Sequence, residues 1–421
     1  MKKILLLIII LMIGFGGYIL YDKYFNNRIP KLITQEEKIN VDDLYIYGTH
    51  LNISGSLVND NNLDLVLYNG EFINYDLKIE DNKFVLSEYI NRGIYLEDIP
   101  EGTYYAFLRS TNTTEEDKTE YKYYVLNNTT NYPETIYYTF SNTNRKIVIN
   151  TDDYYNTLTF NVTKNEDPNI YDIVIDPGHG GMDSGARSGG KREDEYTMKI
   201  AENLKNKLET YGIRVKLTRT KDQLGNKDLL NDYGEHGRAV IGHEVKAKYV
   251  FSIHLNSHAY SSVNGLEVYT ASNINYDFVS NMVNNIVTMT GTNYSTNRIN
   301  RIKNGIYSRT FTEDEIVSSK KESEEKNKEP YDITTKSVYY FMIRETGGIM
   351  TGAYVDGRNA PKYPENPYYN SNIGSEAYLF ELGYITSSLD MNRIDNKMEN
   401  YTDAIANCFK EIFEKNDKNS K

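Results

Sequence analysis

The 421-residue chain has one cysteine and no tryptophan, and its 47 Lys plus Arg are outnumbered by 59 Asp plus Glu. A single thiol excludes an intramolecular disulfide framework and any cysteine-rich zinc ribbon. A bound metal would therefore draw its ligands from the six histidines and from carboxylates. A net charge of -12 works against gripping a nucleic-acid backbone, which needs a surplus of cations, so no nucleic-acid partner is expected. At roughly 100–200 residues per domain, the length leaves room for two or three units, each able to bury a core. Long hydrophobic runs are scarce too. The one at the start, Ile4 to Tyr21, carries no charge over 18 residues and follows Met1-Lys2-Lys3.

That run is about as long as a membrane-crossing helix. No small-x-small cleavage site comes after it, Gly16 and Gly17 being the only candidates. Residues 1–28 are read as an uncleaved signal anchor, a single-pass transmembrane helix, with a cleaved and secreted form as the alternative. Lipid attachment near the N-terminus is excluded, because the only cysteine is Cys408. Lys2 and Lys3 favour a cytoplasmic N-terminus with the rest of the chain outside the membrane, a bias weakened by Lys23, Arg28 and Lys31.

The remainder of the chain divides in two. Residues 29–42 are polar, carry Pro30, and are expected to be a linker. From 43 to about 165, period-two alternation such as Ile73, Tyr75, Leu77 and Ile79 is interrupted by turns at Asn59 to Asn62, Glu80-Asp81-Asn82 and Pro100-Glu101-Gly102. This predicts an all-β, sandwich-like (Ig-like) module. From about 170 to 416 the pattern changes to strands alternating with helices. Ile173-Val174-Ile175 reads as a buried strand, with a helix from about 194, then strands at Ile213 to Leu217, Tyr249 to Ile253 and Leu266 to Tyr269. The fold class expected is α/β: a three-layer α/β/α catalytic domain with a mainly parallel sheet, whose reactive crevice lies at the carboxyl ends of the strands. Within it, Glu313 to Glu329 holds seven acids and four lysines with almost no apolar residues, and about 311–331 is expected to be a mobile charged insertion. Cys408 falls on the apolar stripe of a final helix and reads as a core thiol.

The crevice collects chemistry. Asp176-Pro177-Gly178-His179-Gly180-Gly181 turns sharply after the first strand and presents His179. Glu193 precedes the first helix, where a carboxylate also suits the helix N-terminus. His254 ends the strand at Ser252-Ile253-His254. Two His and one Glu on one sheet edge make a zinc set with a fourth position left for water. His254 and His258 stand four apart, but Leu255 lies where a His-Glu-x-x-His motif needs its base, so that reading fails. His50, His236 and His243 have no evident chemical partner.

Taken with Leu217-Thr218-Arg219 and Asp222, Gly265-Leu266-Glu267-Val268-Tyr269 and Leu379-Phe380-Glu381-Leu382-Gly383-Tyr384, these blocks resemble the zinc-dependent N-acetylmuramoyl-L-alanine amidases over about 170–415. These bacterial enzymes cut stem peptides from the glycan of peptidoglycan. The resemblance implies one Zn2+ on His179, Glu193 and His254, with Glu381 as the catalytic carboxylate, and places the catalytic domain on the cell-wall side of a bacterial membrane. Glu381 is expected to end a strand Tyr378 to Phe380 and to be that strand's one ionisable group. Asn256 and His258, beside His254, are candidate substrate contacts. Arg344 is either a contact to a stem-peptide carboxylate at the end of a strand or half of a structural ion pair.

Three departures from short family members stand out: Leu255 beside the ligand His, expected to narrow the cleft; about 46 residues between Gly291 and Val338; and a further insertion, Thr351 to Ser375. One insertion is expected to cap the cleft until an activator protein displaces it. Two rival readings stay open: a zinc peptidase acting within the stem peptide, and a non-catalytic wall-binding scaffold.

Overall fold

The computed structural model describes residues 33–57, 62–113, 118–221, 237–353 and 366–419. The expected anchor, His236, Asp222 and the middle of the second insertion lie outside them. Among the described residues no helix is long and apolar enough to cross a membrane.

The N-terminal part is all β, as expected. It begins earlier than the composition suggests: Ile33–Tyr47 is one strand, so most of the expected linker is part of the sheet. Ile39, Val41, Leu44 and Ile46 all face the same core, although the first two are at odd and the last two at even positions. A bulge reconciles them. Val41 pairs with Gly55 and Asp43 with Ser54, leaving Asp42 as the extra residue that resets the alternation.

The hydrogen-bonded pairing also departs from a two-sheet sandwich. The strand Gly102–Thr113 pairs with Leu158–Lys164 along residues 102–105 and with Thr119–Asn128 along 107–113, while Leu63–Tyr68 pairs with its residues 105–110. The strands therefore form one continuous, branched sheet wrapped around the core of Leu51, Leu65, Leu108 and Phe160. Within it, Ile33–Tyr47 runs parallel to Thr119–Asn128, although most of the sheet's pairs are antiparallel.

The C-terminal part is built on a seven-stranded sheet. In spatial order its strands are Val215–Leu217, Ile173–Pro177, Tyr249–Asn256, Glu376–Tyr384, Glu267–Tyr269, Ile306–Tyr307 and Arg301–Lys303. The first four are mutually parallel. Glu267–Tyr269 runs antiparallel to Glu376–Tyr384, so the sheet is mixed. Helices cover both faces. Phe251 and Phe278 pack on Phe409 of the final helix Ser388–Asn419 on one side. On the other, Gly242 of Ile241–Glu244 lies so close to Val250 that a Cβ there would come within 2.9 Å of it. Cys408 is a core thiol of the final helix, its Sγ donating to the Ala404 carbonyl, and burial pushes it up to about 11.

The charged insertion is not a loose excursion. Glu313–Glu325 is a helix opened by a capping box: Thr312 Oγ1 accepts from the Glu315 N–H, and the Glu315 carboxylate from the Thr312 N–H at 2.9 Å. Ile316, Ile333, Phe311 and Tyr331 give it a small core of its own.

The two parts are fused rather than strung together. The short strand Ile373–Gly374, just before the strand that carries Glu381, adds in parallel to Ile33–Tyr47 of the N-terminal sheet. Asn91 Nδ2 donates to Glu376 Oε1 at 2.8 Å, and Tyr47 and Phe140 belong to the same core as the C-terminal sheet.

Candidate active site

The site grows from the carboxyl end of Ile173–Pro177. The strand's penultimate residue, Asp176, is fully buried, and its carboxylate accepts from Thr218 Oγ1 at 2.6 Å, Ser252 Oγ at 2.7 Å and Arg238 Nε at 2.8 Å. Burial acts to raise its pKa, but Arg238 and the two hydroxyls hold it below the usual range. Arg219 and Arg238 also clamp the turn from the carbonyl side, at Pro177 O and Gly178 O. These pins let the chain turn at once, with His179 in the left-handed region at φ 60°, a conformation a non-glycine residue keeps only where its surroundings enforce it. Gly178 has no room for a side chain: a Cβ would lie 2.4 Å from His254 Cε1.

His179 and His254 present their rings edge to face, centroids 4.9 Å apart, and Glu193 at the start of the helix Glu193–Thr210 stands between them. Its Oε1 lies 3.1 Å from His179 Nε2 and 3.1 Å from His254 Nδ1. One ligand atom from each residue falls within 4.8 Å of the others. The carboxylate is held by the main chain as well: Leu255 N–H donates to Oε1 at 3.0 Å and Ala186 N–H to Oε2 at 2.9 Å.

This donor set fits zinc. Its short separations approach the edge of a tetrahedron with metal bonds of about 2.1 Å, roughly 3.4 Å, and Asp183 Oδ2, 2.8 Å from His179 Nδ1, is the kind of outer carboxylate that fixes a ligating imidazole. Burial works to lower His179, but Glu193 and Asp183 outweigh it and raise the imidazole to about 9. Burial likewise works to raise Glu193, and the two histidines overcome it and hold the carboxyl well below its ordinary value.

Glu381 stands beside this cluster. It lies inside a strand longer than expected, Glu376–Tyr384, shared with Glu376 and two tyrosines, Tyr378 and Tyr384, so it is not the strand's lone ionisable group. It pairs directly with His254 across the ladder. Its Oε2 is enclosed and has no hydrogen-bond partner among the described residues. Burial, then the negative charges of Glu193 and Glu267, push its carboxyl well above the carboxylate range.

The remaining candidates separate. Asn256, at the end of its strand, donates from Nδ2 to Glu267 Oε2 at 3.3 Å. His258 is an exposed loop residue whose N–H donates to Thr386 Oγ1 and whose Nδ1 accepts from Tyr260 N–H. Arg344 shows the structural ion pair of its two readings. It sits on the helix Phe341–Thr346, 2 % exposed, with Nε on Glu345 at 2.9 Å and Nη1 on the Val338 and Tyr339 carbonyls. Leu255 does not narrow the cleft either, since its side chain is buried in the sheet's core, on the opposite face from His254. Asp183, Arg219, Arg238 and Glu267 do not stand out as site residues in the sequence, because they act on the backbone or on other side chains. All four lie inside the motif blocks or near them, and that position is their only signal.

A probable cell wall amidase of Staphylococcus aureus, LytH, is 39% identical over 103 residues, 23% of this chain and 30% of the relative; the chain thus spans about a third of the length of the curated relatives it matches. Among solved structures, Cwp6 from Clostridium difficile is 24% identical with a TM-score of 0.36, covering 57% of this chain and 29% of that one. The catalytic domain of CwlV, an N-acetylmuramoyl-L-alanine amidase from Bacillus (Paenibacillus) polymyxa var. colistinus, is 21% identical with a TM-score of 0.35, covering 58% and 99%. The Amidase_3 family model, described as N-acetylmuramoyl-L-alanine amidase, matches residues 173–411, more than half of the chain, and the chain belongs to that family.

Proposed function

We propose that this protein is a zinc-dependent N-acetylmuramoyl-L-alanine amidase that hydrolyses the amide bond between N-acetylmuramic acid and L-alanine in peptidoglycan, for wall remodelling or autolysis. The observation that carries the reading is the convergence of His179, Glu193 and His254 within 4.8 Å, with Glu381 next to His254 in the ladder. Those three residues would hold zinc, which when bound polarises the scissile carbonyl and brings the pKa of a water towards about 7.

The protein's own groups do the rest. Asp183 orients the His179 ring, and the Leu255 and Ala186 N–H groups fix both oxygens of Glu193. Glu381 takes the proton of the attacking water and delivers it to the leaving nitrogen of L-alanine. Its Oε2, to which no described residue donates, supports that part, because it leaves an acceptor site open for the water's proton.

In the same reading, residues 1–28 anchor the protein to a bacterial membrane with the catalytic domain on the wall side, and an activator displaces the 311–331 insertion. Recovery in the membrane fraction after alkaline extraction tests the anchor. Deleting 311–331 should raise turnover on purified walls, and unchanged or lower turnover would remove the activator.

The decisive experiment digests purified peptidoglycan with the full chain and identifies the new termini by mass spectrometry. Free L-alanine amines together with lactyl carboxylates support the amidase. Termini inside the stem peptide would make the protein a peptidase, and no release with zinc added would make it a scaffold.

A further inference from the structure

Glu267 is a buried carboxylate to which the proposed reaction gives no part. It opens the strand Glu267–Tyr269, is 0 % exposed, and pairs directly with Glu381, which pairs in turn with His254. Directly paired residues project from the same face of a sheet, so three ionisable side chains stand in a row across three adjacent strands.

The two glutamates have opposite surroundings. Glu267 Oε1 accepts from Ser295 Oγ at 2.6 Å and from the Tyr384 hydroxyl; Oε2 accepts from the Tyr269 hydroxyl at 2.7 Å and from Asn256 Nδ2 at 3.3 Å. Among the described residues no Lys, Arg or His forms an ion pair with it. Glu381 next door has an enclosed oxygen to which no described residue donates. Side chains opposite one another in an antiparallel ladder have Cβ atoms about 4.5–5.5 Å apart, so the donors gathered on Glu267 are a side-chain rotation away from Glu381. Tyr384 comes from the strand of Glu381, and Asn256 from the strand of His254.

We propose that Glu267 is a positioning residue for the reaction, holding the hydroxyl and amide donors of the cleft floor so that none of them binds Glu381, whose carboxylate is left to carry the proton. The inference rests on the amidase reading and adds a residue to it. A buried donor deprived of its acceptor is costly to leave unmet, so the hydroxyls released by the loss of Glu267 need another acceptor, and the carboxyl of Glu381, directly opposite in the ladder, becomes one they compete for.

The test uses the full chain, with hydrolysis kinetics on solubilised peptidoglycan, zinc content and thermal unfolding measured on each variant. Glu267→Gln is expected to keep its zinc and its KM while kcat falls roughly tenfold or more, the pattern of an interaction felt only in turnover. Adding Tyr269→Phe and Tyr384→Phe removes two of the three released hydroxyls and should restore at least about half of that loss on a logarithmic scale. A merely structural role predicts the reverse, each further lost hydrogen bond making the protein worse.

The proposal is overturned if Glu267→Gln keeps kcat within about twofold of the unchanged chain, if it loses zinc, or if the two Phe changes bring no recovery. Should Glu267→Gln fail to fold, Glu267→Met with the same two Phe changes takes its place, since removing the acceptor together with two of its four donors leaves only Ser295 and Asn256 to find other partners. Turnover above roughly a tenth of the unchanged chain then supports the proposal, and turnover below that overturns it. If the unchanged chain releases no L-alanine amines, the amidase reading itself falls; if it releases them and Glu267→Gln does so equally fast, only this inference falls.

Discussion

His254 and Glu381 are directly paired residues on adjacent parallel strands, so a candidate metal ligand and a candidate proton carrier rise from one face of the sheet. Pairing fixes their separation through backbone hydrogen bonds rather than through loop conformation. Their division of labour can be tested. Glu381→Gln keeps the shape of the side chain and leaves His179, Glu193 and His254 untouched, so zinc content should not change. Turnover should fall by about 10²–10⁴-fold, the usual contribution of a positioned proton carrier. Zinc content and hydrolysis rate measured on one preparation decide it; a variant that works at the normal rate removes Glu381 from the mechanism.

Asp183 is bonded to the ring nitrogen of His179 that faces away from Glu193, at 2.8 Å. Replacing an outer partner of this kind weakens metal binding by roughly 10–100-fold. Asp183→Asn should lower zinc affinity in that range, measured by competition with a chelator, while His179→Ala should abolish zinc binding and activity together. Unchanged affinity in Asp183→Asn would mean that the contact is a surface ion pair and nothing more.

How far the sequence leads can be judged residue by residue. His179, Glu193, His254 and Glu381 are legible because each lies in a short block with a glycine-bounded turn or an apolar strand, and because strand ends share an address in an α/β sheet. The helix Glu313–Glu325 was legible too, since Thr312-x-x-Glu315 is a capping-box signature, but the density of charge masked it. Asp42 shows a different limit. A bulge inverts the alternation of Ile33–Tyr47 halfway along, and no period-two pattern survives that. Arg344 and Glu267 mark the last limit. Whether a charged residue meets solvent, substrate or a buried partner depends on what packs over it, and those neighbours can lie far away in the chain, as with Ser295 and Glu267.

Arg344 gives the sharpest contrast between the two parts a charged residue can play. It is fully buried, paired with Glu345 and bonded to two carbonyls, so Arg344→Ala would take the cation from a buried carboxylate and the donor from two carbonyls. Breaking a buried pair from one side costs about 3–5 kcal/mol. Urea unfolding should show a loss of that order, and any folded fraction should retain its KM for wall fragments. A raised KM at unchanged stability would return Arg344 to the substrate.

Acid should weaken the fold through two histidines far from the candidate active site. His243 stacks on Tyr368 at 4.8 Å and bonds the Glu345 carbonyl; burial lowers it to about 4, against which that bond works only in part. His50 packs on Tyr95 in the N-terminal sheet, where burial and then the charge of Arg92 lower it to about 3. Well above pH 6.5 both are neutral whether the chain is folded or not, and their contribution to stability is fully present. As the pH falls from about 6.5 towards 4, the unfolded chain takes up protons that the fold refuses, so stability is lost across that window. Each histidine adds at most about 1.4 kcal/mol per pH unit to the slope. His243→Gln removes one of these proton sinks, so its melting temperature should lie below that of the unchanged chain at pH 7.5 and draw level with it, or pass it, near pH 4.5. Comparing the pair at each pH cancels the carboxylates common to both, and a gap that stays constant with pH would show that the fold does not lower the pKa of His243.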